Sequence, residues 1–189
     1  MPRKKLIRSS HHPYHVTARG NNREVFPLSL AETWQVMVKL LSETSELYGA
    51  QIHAFVLMPN HFHLLISTPE RDLGAAMHYF MLSISKEMNA RSGRSGRIFG
   101  ARYHWSIIMS DAHYDCALKY VYRNPVKAGL AERVEHYPYS TLLQVLGHAT
   151  NGVPLRPHCG ASDFIPNRNS EGFLEWLNEP FQTDRKSVV

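Results

Sequence analysis

His61 and His63 stand either side of Phe62 in the run Val56-Leu57-Met58-Pro59-Asn60-His61-Phe62-His63-Leu64-Leu65-Ile66. Along a strand, alternation sends both imidazoles to one face and Phe62, Leu64 and Ile66 to the other. Packing does not ask for such a pair, since His is a poor core residue and two charged neighbours repel. A divalent metal does, because two neutral ring nitrogens on one rigid element supply half a coordination shell. With 12 His in the chain, the pair alone leaves a chance arrangement open.

The second chemical element is Lys119-Tyr120-Val121-Tyr122-Arg123-Asn124-Pro125-Val126-Lys127. Ala112 to Arg123 contains no Gly or Pro and follows Asp111, a capping residue type, which predicts a helix. Tyr120 and Asn124 then share a face one turn apart. Pro125 disfavours helical geometry at Asn124, which places Asn124 in the last turn. A phenol that can attack and a carboxamide oxygen that can ligate thus arrive together. Tyr122 faces elsewhere, for packing or base stacking, and Tyr114 lies one and a half turns back.

These motifs resemble those of the single-tyrosine HUH transposases, most closely the branch of REP-associated tyrosine transposases. Tyr14-His15-Val16-Thr17-Ala18-Arg19-Gly20-Asn21-Asn22-Arg23 and His136-Tyr137-Pro138-Tyr139-Ser140-Thr141 match the same branch. The resemblance runs from about residue 12 to about residue 145. It implies Tyr120 as nucleophile, with His61, His63 and the Asn124 side-chain oxygen as metal ligands. It further implies a single-stranded DNA substrate bearing a REP-like hairpin, and a 5′-phosphotyrosine product with a free 3′-hydroxyl. An ordinary phenol, with a pKa near 10, is ionised about once in a thousand at pH 7, a cost of roughly 4 kcal/mol if phenolate is required. A divalent cation eases the same step by polarising a non-bridging phosphate oxygen. Mixed nitrogen and oxygen donors suit Mn²⁺, while the resemblance implies Mg²⁺.

The chain has 189 residues, with 21 Lys and Arg against 16 Asp and Glu, a net charge of +5. The charge is clustered. Arg3, Lys4, Lys5 and Arg8 crowd the N-terminus, and Arg91, Arg94, Arg97 and Arg102 crowd the middle around Gly93 and Gly96. The cluster reads either as solvated charge or as a flexible loop whose guanidiniums reach phosphates. Arg19, Asn21, Asn22 and Arg23 form a polar run after the first strand, assigned to DNA contact together with Lys127. Trp105 is open between base stacking and core packing. Two cysteines, Cys116 and Cys159, are too few for a disulfide framework and read as ordinary thiols of a reducing cytoplasm. No secretory leader and no membrane-spanning run is expected.

Periodicity and turn residues give the elements that must hold this chemistry. Strands are expected at Tyr14–Ala18, Gln51–Met58, His61–Ser67 and Arg102–Met109, with helices at about Ser29–Tyr48 and Asp72–Ala90 before the Tyr120 helix. The Ser29–Tyr48 stripe is Leu30, Trp34, Val38, Leu41 and Tyr48, with Met37 beside it. Met77, Met81 and Met88 read as core filler. The order β-α-β-β-α-β predicts an α+β, ferredoxin-like antiparallel sheet with an added C-terminal helix carrying the tyrosine. In that fold the His strand lies beside the first strand. Leu65 shares its face with the two His, so that face needs a cover, and the Tyr120 helix is the expected one. Residues 1–149 form the expected catalytic domain, with a basic arm at 1–11, and 150–189 a tail with one short helix. The longer tail slightly favours a monomer over the dimers of the insertion-sequence relatives. Two rival readings are a non-catalytic single-strand nucleic-acid-binding module and a metal-dependent hydrolase using activated water.

Overall fold

The structure, a computed structural model, describes residues 5–70, 72–148, 150, 152–156 and 171–181. Arg3, Lys4 and Cys159 lie outside the described residues. Four strands form one antiparallel sheet in the order β2-β3-β1-β4: β1 (Tyr14–Arg19), β2 (Gln51–Met58), β3 (His61–Ser67) and β4 (His104–Ile107). The helices α1 (Leu30–Tyr48) and α2 (Leu73–Ser92) cover one face, and α3 (Asp111–Lys127) covers the other. The fold is the expected ferredoxin-like one, with β3 and β1 side by side at its centre.

Local sequence explains the boundaries. Ser29 and Glu32 make a reciprocal capping box at the start of α1, and Gly49 closes it in the left-handed conformation at φ 60°. The buried face of α1 is Thr33, Val36, Met37, Leu40, Leu41 and Thr44, rotated from the expected stripe, while Trp34 is half-buried and stacked on Phe55. β4 is shorter than expected. It pairs with β1 only as far as Tyr14, and beyond that stands Pro13, which has no N–H to extend the ladder. The N-cap of α3 is Ser110, which accepts from the His113 amide, one residue earlier than predicted. The helix also runs on through Pro125 to Lys127. The Asn124 carboxamide donates to the Tyr120 carbonyl at 2.7 Å, a side-chain bond within the turn that Pro125 disrupts.

Both faces of β3 are packed against a core over most of their length. Phe62, Leu64 and Ile66 enter the core under α1 and α2 with Met77, Phe80, Ile84 and Met88. Leu65 enters a second core with Tyr114, Leu118 and Val121 of α3. Each fully buried side chain of this size contributes about 1.5–3 kcal/mol, so the position of the His strand is fixed from both sides. The segment Tyr137–Thr141 protects the edge of β2: the Leu57 amide donates to Tyr139, the Thr141 amide to Phe55, and the Tyr137 hydroxyl to Leu57. A short α4 (Leu142–Val145) follows. Val153–Arg156 runs beside β2, and α5 (Glu171–Asn178) buries Phe173 and Leu177 in the second core. The Arg123 guanidinium of α3 donates to the carbonyls of Leu177 and Asn178. Lys119 lies over the rings of Trp176 and Phe181 at 5.0 and 5.7 Å. Among the described residues no helix is long and apolar enough to cross a membrane.

Candidate active site

The register of β1 on β3 pairs Thr17 with His63, Arg19 with His61 and His15 with Leu65, and cross-strand partners share a face. His15, Thr17 and Arg19 therefore line the same surface as His61 and His63, and α3 roofs it. Between them is a cleft of about 690 Å³ bordered by His15, Arg19, His61, His63, Tyr120 and Asn124. The Tyr120 ring lies edge-on to both His15 and His63, at 5.6 Å in each case. Lys127 sits 5.9 Å from the centre of that ring, near the outer limit for a cation–π contact. Tyr122 is buried on the other side of α3 with its hydroxyl 3.3 Å from Thr141, and Tyr114 is buried beside His53.

Asn60 fixes the chemistry of His61. Its amide nitrogen donates to the Arg23 carbonyl at 2.8 Å, which leaves the amide oxygen to face His61 Nδ1 at 2.7 Å. His61 must then carry its proton on Nδ1 and present a lone pair at Nε2. His63 is only 5% exposed, and its Nε2 is buried without a hydrogen-bond partner. All three imidazoles are held neutral. Burial, then the charge of His113, lowers His15 to about 4. Burial, then Arg19, lowers His61 to about 4. Burial, then His15, His61 and Arg19, pushes His63 well below the ordinary imidazole value.

These shifts carry a stability consequence. The folded-state pKa lies below the unfolded value near 6.5, so the unfolded chain binds more protons as pH falls from about 6.5 to about 4. Stability drops through that window and levels off below it. At pH 5 the cost is about 2 kcal/mol for His15 and less for the more exposed His61. Without metal, the melting temperature is expected to fall by several degrees between pH 7 and pH 5. A flat profile over that range would contradict neutral, buried imidazoles.

The structure also joins two stretches far apart in sequence. The Gly20 amide donates to the Asn60 carbonyl at 2.7 Å and the Asn21 amide to the Ile98 carbonyl at 2.8 Å, while Gly20 bridges Phe99. A Cβ on Gly20 would lie 2.5 Å from the Glu24 carbonyl oxygen, so only Gly fits this turn. Asn22 and Arg23 follow in the left-handed region, at φ 54° and 62°. That conformation is costly for Arg, and the Asn60 bond to its carbonyl holds it. Arg19, Arg23, Arg94, Arg97 and Arg102 are all exposed. Arg91 is part of α2, not of the loop, and is paired with Glu87 at 2.6 Å. Trp105 is half-buried, edge-on to Tyr14 at 6.3 Å and packed on the α1–α2 core, while its residue still borders the cleft. Cys116 is a free, exposed thiol.

The sequence pattern gives His15 no role and Asn60 only that of a turn residue. Pairing His15-x-Thr17-x-Arg19 with His61-x-His63 on adjacent strands would have placed His15 beside the pair. The Asn60 bond to Arg23 depends on the hairpin meeting the turn after β1, which no local pattern encodes.

A family model described as transposase IS200-like matches residues 8–124. The chain belongs to that family. A protein of Haemophilus influenzae named as a REP-associated tyrosine transposase is 32% identical over 110 residues, covering 52% of this chain and 62% of that protein. The REP-associated tyrosine transposase of Escherichia coli K12 is 30% identical over 91 residues, covering 48% and 53%. The match therefore spans less than two thirds of either relative. A solved REP-associated tyrosine transposase bound to a REP hairpin shares the fold, with TM-score 0.66 at 21% identity over 87% of this chain and 95% of that one.

Proposed function

We propose that this IS200-like transposase is a metal-dependent single-strand DNA endonuclease and strand transferase. It acts on REP-like hairpin DNA in the cytoplasm, with Tyr120 as nucleophile. The observation that carries the reading is the Tyr120 ring edge-on to His63 in a cleft also bordered by His61 and Asn124. The Tyr120 phenol oxygen attacks a backbone phosphorus, a new P–O bond forms and the bond to the 3′ oxygen breaks. The leaving oxygen takes a proton and departs as a free 3′-hydroxyl, while the 5′-phosphate stays on the tyrosine. The covalent bond keeps the phosphodiester energy, so attack by a 3′-hydroxyl rejoins strands without ATP.

The residues present fit a divalent cation. His61 is oriented with Nε2 free, His63 Nε2 is buried and unpartnered, and both rings are neutral. Among the described residues no group of three or more His, Cys, Asp or Glu is placed to hold a metal; the third donor we propose is the Asn124 side-chain oxygen. The Asn124 amide nitrogen is spent on Tyr120, and its oxygen remains for that role. Mg²⁺ or Mn²⁺ held there would supply electrostatic stabilisation of charge developing on the phosphate. The monomer is favoured by the hold of α5 on α3, since the tyrosine helix is gripped by its own chain.

DNA runs along the rim made by Arg19, Asn21, Asn22, Arg23, Arg94, Arg97 and Arg102, with Lys127 over the tyrosine. Arg91 can join, because its exposed ion pair with Glu87 is worth about 1 kcal/mol or less. Replacing Arg94 and Arg97 by Ala is expected to flatten the slope of log K against log salt by about 1.4. Adding Arg91→Ala should add less than the roughly 0.7 of a free phosphate contact. Cleavage at saturating DNA stays near wild type. An unchanged slope would make the loop mere solvated surface.

The test of the function is to incubate labelled single-stranded hairpins flanking the gene with protein and Mn²⁺ or Mg²⁺, then run a denaturing gel. A covalent protein–DNA band is expected. Cleavage without it would point to a hydrolase, and binding without cleavage to a binding module.

A further inference from the structure

His15 meets His63 edge to edge, with ring centres 5.3 Å apart, planes 15° from parallel and its Nε2 3.0 Å from His63 Nδ1. A nitrogen–nitrogen contact of that length needs one ring to donate and the other to accept, which leaves two arrangements. If His15 donates, His63 carries its proton on Nε2, a buried donor with nothing to receive it. If His63 donates from Nδ1, its Nε2 presents a lone pair to the cleft. A buried acceptor in that position is satisfied as soon as a cation arrives. The second arrangement mirrors what Asn60 imposes on His61, where the proton is also held on Nδ1.

We infer that His15 is a positioning residue for the metal site: it accepts the Nδ1–H of His63, fixes the ring plane and tautomer, and so commits His63 Nε2 to the cation. This rests on the metal reading of His61 and His63 proposed above. The strand register explains why β1 can do this, since His15 and His63 are diagonal neighbours across the β1–β3 pair on the face that α3 covers. Buttresses of this kind typically change metal affinity by 10–100-fold when removed.

Two measurements on metal-free protein and one titration decide it. Nitrogen-15 NMR of the histidine rings in the wild-type protein is expected to show His63 as the Nδ1–H tautomer. Finding His63 as the Nε2–H tautomer overturns the inference, whatever the variants do. Titration of Mn²⁺ alone by calorimetry is expected to weaken about 10–100-fold in His15→Phe, which keeps a ring against Tyr120 but offers no acceptor. His15→Gln, which restores an acceptor, should recover part of the loss, and melting in EDTA checks that both variants fold. Equal Mn²⁺ affinity in wild type and a folded His15→Phe overturns the role of His15 while leaving the metal site standing. A wild-type protein that binds no Mn²⁺ overturns the metal reading and the inference with it.

Discussion

Tyr120→Phe is expected to bind a REP-like hairpin with near wild-type affinity and to form no covalent adduct at all. The substitution removes one oxygen from a ring already held at 5.6 Å from both His15 and His63, and it leaves the rim of arginines untouched. The ring is half-buried and its surroundings are other rings, so the fold has no reason to respond. Loss of the phenol oxygen, in contrast, leaves no other hydroxyl among the residues that α3 brings to the cleft. Tyr122→Phe is the matched control. Its hydroxyl touches Thr141 inside the second core, and losing that contact should cost about 1 kcal/mol of stability while adduct formation continues. Adduct formed by Tyr120→Phe, or lost only in Tyr122→Phe, would assign the chemistry to the wrong tyrosine.

The hairpin Gln51–Met58 and His61–Ser67 was legible to the residue, because alternation and Pro59-Asn60 both mark it. The topology was legible from element order, and with it the pairing of the His strand with the first strand. The cover of α3 over the His face followed from one residue, Leu65, which cannot face water beside two imidazoles. What stayed hidden depends on register and on long-range contact. His15 becomes a neighbour of His63 only once β1 is set against β3 with Thr17 opposite His63. The basic loop and the Gly20–Arg23 turn look like separate patches until the Asn21 amide is seen to bond Ile98. The sequence leaves Arg91 and Trp105 each open between DNA contact and a plainer role, and the structure gives Arg91 the Glu87 partner on its own helix and Trp105 a place at the core edge beside Tyr14, from which it still borders the cleft. The docking of α5 was open in the sequence because its apolar cluster says only that it can dock, not that Arg123 and Lys119 await it.

Removal of the cation gives the other large effect. Excess EDTA is expected to abolish adduct formation, and added Mn²⁺ or Mg²⁺ to restore it. His63→Ala should weaken Mn²⁺ binding by more than about 100-fold, since a direct ligand costs more than the 10–100-fold of an outer-shell partner. A second readout does not involve DNA. In the metal-free protein His63 Nε2 is a buried polar atom without a partner, a cost of about 1–3 kcal/mol that the fold carries. A cation that takes this lone pair stabilises the fold by linkage, about 2.7 kcal/mol at a hundredfold excess over Kd, with relief of the buried nitrogen already contained in that Kd. Mn²⁺ should therefore raise the melting temperature of the wild-type protein by several degrees and leave that of His63→Ala unmoved. In EDTA His63→Ala removes the unsatisfied nitrogen but also loses packing and the hydrogen bond to His15, so it is expected to be destabilised. A wild-type enzyme fully active in EDTA, or a melting temperature indifferent to Mn²⁺, would mean that the buried nitrogen serves some purpose other than a metal.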